Sequence, residues 1–199
     1  MQMNPSKRSF VTCVVVAWVV GAAIVTSGGA AAAKPKPPSA AKGDDGTYAC
    51  SLLTKAELAA AIGGRATKPM PSGGGPPVAT NPATSKCIMT VKGTARSTIV
   101  SWTVDLYKTA ADAAADAAAS NVFPANATPV PGVGTQAVAD ATPGSEVGTI
   151  LAGSSLITIA YQDGNQTLEQ LGNDEKAGVT NPQHLAVYEA LVRAIGKHL

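Results

Sequence analysis

The sequence predicts an α+β domain: an antiparallel sheet of four or five strands with helices packed on one face, in the order αββ–αββ–α. Three observations carry that expectation. Lys86–Tyr107 and Val147–Gln162 each hold two apolar segments parted by a short turn, the mark of a β-hairpin. A helical stretch with its own start signal precedes the first hairpin, and a second precedes the other. The chain then closes on an amphipathic helix. Sequential hairpins pair antiparallel, and helices of this kind cover one side of such a sheet. The recurring helix–hairpin unit hints at an internal duplication without a residue-level repeat.

Residues 1–33 have the layout of a secretory leader. Lys7 and Arg8 precede an apolar run from Phe10 to Val25, and Ala30–Ala33 offers a small-residue cleavage site. The run is about 16 residues, short of the ~20 that a spanning helix needs, so cleavage is expected, with a retained anchor as the alternative. No membrane span is expected after cleavage. Cys13 departs with the leader. Residues 34–47 are rich in Pro, charge and Ala, and are expected to form a disordered tether ahead of a single domain at 48–199.

Losing Lys7 and Arg8 lowers the basic count from 15 to 13, equal to the 13 acidic residues. A formally neutral chain has no electrostatic reason to hold nucleic acid or an anionic membrane. About 150 residues suffice for one core, and aliphatic side chains must fill it, because the sequence has only two Trp, four Tyr and two Phe.

The first helix, expected at 54–63, has all its signals. Thr54 and Glu57 make a capping box, Leu53 and Leu58 a hydrophobic staple, and Gly63-Gly64 the stop. Cys50 stands just before it. Once the leader is gone, Cys50 and Cys87 have a single intramolecular pairing, and an oxidising compartment favours it. Closing that loop stabilises the fold by about 3–4 kcal/mol. The alternative, free or metal-binding thiols, lacks neighbouring His or Cys ligands.

Arg65–Ser85 is dense in Gly and Pro and is expected to be the longest internal loop. In the first hairpin, Val100, Trp102, Val104 and Leu106 alternate with Ser101, Thr103, Asp105 and Tyr107. The first set, with Trp102, is expected in the core, with a ligand-stacking role for Trp102 as the alternative; the second lines the opposite face. Thr109–Ser120 is an alanine-rich helix capped by Thr109. Its Asp112 and Asp116 lie one turn apart, as a solvated face or as a carboxylate pair for acid–base work. A short apolar stretch at 136–139 leads to the second hairpin, 147–152 and 156–162, around Gly153-Ser154-Ser155. Residues 164–180 are polar loop. Asn181 caps the last helix, Pro182 opens it, and Leu185, Tyr188, Leu191, Val192, Ile195 and Leu199 form its apolar stripe.

Candidate chemistry is sparse, and no catalytic, cofactor or metal site is expected. His184 and His198 are about 21 Å apart along a straight helix, too far to share a metal, and both are expected to be exposed. There is no G-x-S-x-G around Ser154 and no phosphate loop. These features point to a non-catalytic binding or sensor-like module whose partner is a protein or a small-molecule ligand. The alternative is a secreted hydrolase relying on Asp112, Asp116 or Ser154. The oligomeric state is left open.

The run Cys50-Ser51-Leu52-Leu53-Thr54 with Glu57, a second cysteine at the start of a strand, and Val130-Pro131-Gly132-Val133-Gly134-Thr135-Gln136-Ala137 before two strands and a final helix resemble a family of actinobacterial exported lipoprotein-like domains of unknown function. The resemblance spans roughly residues 48–198 of this sequence. Extracellular sensor domains of bacterial receptor kinases look like distant relatives. The family pattern implies an envelope or extracellular location and transfers no catalytic residue. This chain lacks the lipidation cysteine.

Overall fold

A computed structural model describes residues 34, 47–73, 82–93, 97–142, 146–162 and 181–199. The predicted leader, most of the tether, part of the first hairpin turn and the 164–180 loop lie outside the described residues. Residues 33–199 form one compact unit.

The capped helix forms as its residues dictate. Helix α2 spans Lys55–Ile62, with the Thr54 hydroxyl accepting from the Glu57 amide at 3.2 Å and the Glu57 carboxylate from the Thr54 amide at 2.9 Å. Leu53 and Leu58 are both buried beside it. Cys50, however, sits in a separate helix, α1 (Thr47–Ser51), which takes over the end of the predicted tether.

The sheet is antiparallel with eight strands, more than the expected four or five. The predicted loop after α2 supplies two of them, β1 (Arg65–Ala66) and β2 (Met70–Gly73), both pairing with one edge of β3 (Ala83–Lys92). Neither carries an alternating pattern; the free hydrogen-bonding edge of β3 recruits them. The order continues through β4 (Ser97–Leu106), β8 (Ser155–Gln162), β7 (Val147–Ala152) and β6 (Gln136–Asp140) to β5 (Thr128–Pro129). The two meanders therefore meet along their last strands, with Trp102 opposite Ile159.

One sheet face carries Cys87, Met89, Val100, Trp102, Val104, Ile150, Ile157 and Ile159 into the main core, together with α1, α2 and α4 (Pro182–Gly196). Helix α3 (Ala110–Ala119) packs on the opposite face, over β7 and β8, which corrects the expectation of helices on one side only. The cause lies in the second hairpin. Ile150-Leu151 and Leu156-Ile157 are consecutive and all buried, so both faces of these strands need cover. Ala113 and Ala117 provide it on α3, small enough for close approach. With α2 and α3 on opposite faces, the helices do not obey the hinted duplication.

Three ties dock α1 on the sheet. Cys50 and Cys87 are disulfide-bonded, with Cα atoms 5.0 Å apart. The fully buried Trp102 indole donates to the Ala49 carbonyl at 2.7 Å, and the Ala49 amide donates to the buried Ser85 hydroxyl at 2.9 Å. Gly148 lies under α4, where an added Cβ would stand 2.9 Å from a Val192 methyl.

Candidate interaction face

Beside α3, the outer face of β2, β3 and β4 is covered by no described helix. The ladder arranges its side chains in rows across the strands. Thr84 pairs with Asp105, Lys86 with Thr103, Ile88 with Ser101 and Met70, and Thr90 with Ile99. Met70 and Ile99 are the only exposed large hydrophobic side chains among the described residues, keeping 54% and 43% of their surface. Ile88, half-buried, stands between them. Hydroxyls of Thr90, Ser101 and Thr103 surround this apolar centre.

The two ends of the face differ in charge, although Lys86 stands one row from Asp105 on the carboxylate side. Arg65 and Lys92 are exposed Cα partners at the β1 end. At the other end Asp105 accepts from the Thr84 hydroxyl at 2.9 Å, and Asp116 of α3 accepts from the Tyr107 hydroxyl at 2.6 Å. Burial pushes the Asp105 carboxyl up, the Thr84 bond partly offsets this, and the negative Asp116 adds to it. Burial and then the Asp116 hydrogen bond raise the Tyr107 phenol, which stays a donor.

A second polar cluster holds the start of α4. Contrary to expectation His184 is buried: its Nδ1 lies 3.2 Å from Glu146 Oε1, and its ring meets Tyr161 edge-on at 5.2 Å. The Tyr188 hydroxyl donates to the Glu146 carbonyl at 3.1 Å and accepts from the Tyr161 amide at 3.1 Å. At the far end of α4, His198 Nε2 lies 2.9 Å from Glu57 Oε1 and is half-buried. Sequence reasoning missed both partners because Glu146 and Glu57 are remote in the chain.

Of the residues named for the hydrolase alternative, Asp112 and Asp116 lie on α3, and Tyr107 bonds to both Asp116 and Ser154. Asp112 accepts from the Thr109 hydroxyl at the α3 cap, at 2.8 Å. Ser154 lies in the β7–β8 turn, where its carbonyl accepts from the Tyr107 amide at 2.9 Å. Among the described residues, no three His, Cys, Asp or Glu side chains gather as metal ligands. No described helix is long and apolar enough to cross a membrane. A cleft of about 270 Å³ beside α3 is walled by Ala114, Ala117, Ala118, Phe123 and Leu151, with Asn121 and Gln136 as its polar groups. It falls below the usual range for drug-sized ligands.

Ser101, Thr103 and Asp105 were legible as an outward face; Met70, Ile88 and Ile99 were not. The signal that could have found Ile88 and Ile99 is their place as apolar residues on the polar parity of their strands. Met70 carried no signal, since its strand was hidden in a Gly/Pro-rich stretch. No protein-family profile, curated protein or solved structure matches the chain.

Proposed function

We propose that this is an exported, non-catalytic binding or sensor-like module of the bacterial cell envelope or exterior, and that it engages a protein through the open face of β2–β4. The observation that carries the reading is the convergence of the exposed Met70 and Ile99 around Ile88 on a face that no described helix covers. Apolar side chains ringed by hydroxyls and a few charges have the composition of a protein-binding surface with a dry centre and a polar rim. The Cys50–Cys87 bond favours an oxidising compartment. The apolar leader and the likeness to exported lipoprotein-like domains support the same placement.

Photo-crosslinking tests the reading. A photoreactive residue placed at Ile99 or Met70, in cells that export the protein, is expected to yield discrete protein adducts. The same residue at Lys55, exposed on α2 on the other side of the sheet, is not. Equal adducts from all three positions, or none from the face, would overturn it.

A further inference from the structure

The part of the sheet that no described helix covers has room for one more helix. Helix α3 covers the same face over β7 and β8. A second helix laid beside it, at the usual interaxial distance of about 8–10 Å, would sit over β4 and β3, since strands are spaced by about 4.8 Å. Ile88 and Ile99 occupy those two strands, and Met70 stands on β2 just beyond. From the Asp105 row to the Lys92 row is eight residues along β3, from Thr84 to Lys92. That span is about 27 Å of strand, the length of a helix of about 18 residues.

Charge sets what such a helix must carry. Arg65 and Lys92 make no ion pair among the described residues, and neither do Asp105 and Asp116 at the opposite end. The side chains of Asp105 and Asp116 have the hydroxyls of Thr84 and Tyr107 as their partners. Resting on the reading of this face as a protein-binding surface, we infer that its occupant is an amphipathic helix of a protein partner. Its apolar stripe lies on Met70, Ile88 and Ile99. Its basic end meets Asp105 and Asp116, and its acidic end meets Arg65 and Lys92.

Three conformationally stapled peptides of about 18 residues test this on the disulfide-bonded mature chain. All share one leucine stripe. The first has lysines flanking one end and glutamates the other, the second has lysines at both ends, and the third glutamates at both. In NMR titrations at low salt, the bipolar peptide is expected to shift the amides of Thr90, Ile99 and Ser101. It is expected to bind at least about fivefold more tightly than either uniform peptide. In the variant Arg65→Glu with Lys92→Glu, whose fold is checked by its amide spectrum, the all-lysine peptide becomes the tightest of the three. Equal affinities, an unchanged ranking in the variant, or shifts confined to the α3 cleft would overturn the inference. If none of the peptides binds while crosslinks from Ile99 still capture a protein, the helical occupant alone is refuted. If those crosslinks also fail, the binding face falls with it.

Discussion

Trp102 shows how a single side chain joins two layers. Its ring fills the core while its indole N–H satisfies the Ala49 carbonyl in α1. Trp102→Phe keeps most of the apolar volume and strands that carbonyl, so unfolding by urea should show a loss of about 1–3 kcal/mol. Asp105 has the opposite sign. Its carboxyl is raised in the folded state, chiefly by burial, so the ionised form costs stability at neutral pH. That cost appears as pH rises through the folded value and is absent below the ordinary aspartate value of 3.8. Asp105→Asn, which keeps an acceptor for Thr84, is expected to stabilise the protein at pH 7, with the gain fading on acidification. Glu57 is a contrasting case. Partial burial works to raise its carboxyl, but hydrogen bonds from Thr54 and His198 outweigh it and hold it below the usual glutamate range. Glu57→Gln should therefore destabilise at neutral pH, and the difference should vanish as pH falls through the lowered value. Denaturation midpoints across a pH series read both effects.

Among elements, α1 is the one that most depends on what it touches. Five residues cannot hold a helix in water, so the disulfide, the indole and Ser85 together keep it in place. Replacing Cys50 and Cys87 by alanine opens a loop whose ends are 37 residues apart. The cost expected from chain entropy is about 3–4 kcal/mol, and hydrogen exchange should show the α1 amides losing protection first. Helix α4 is fastened at both ends, through His184–Glu146 and His198–Glu57, and packs through Val192 onto Gly148. Gly148→Ala pushes a methyl against Val192 and should cost about 1–3 kcal/mol in thermal or chemical unfolding.

At the scale of the molecule, one sheet separates two unequal layers. The full one holds the disulfide, Trp102 and three of the four described helices. The other has α3 over β7 and β8 and, among the described residues, no helix over β2–β4. The central pair β4–β8 is flanked on both edges, so its amides should exchange slowest, with β1 and β5 at the rims exchanging early. Native-state hydrogen exchange reads this directly. Ile99→Lys, on the open side, should leave the unfolding midpoint nearly unchanged while abolishing contacts made through that face.

Local chemistry was enough, in the sequence alone, to specify α2, α3, α4 and the two hairpins. Caps, glycine stops and period-two or helical apolar patterns act within a few residues, and Thr54, Thr109 and Asn181 cap where they should. The sequence favoured Cys50 bonded to Cys87 over free or metal-binding thiols, and it is the pair joined in the structure. The tertiary structure alone decided the rest. Strands β1 and β2 exist because β3 has an edge to fill, α3 crosses to the far face because Leu151 and Leu156 need cover, and His184 is buried because Glu146 comes to meet it. Each of these depends on a contact between residues distant in the chain, which no local pattern encodes.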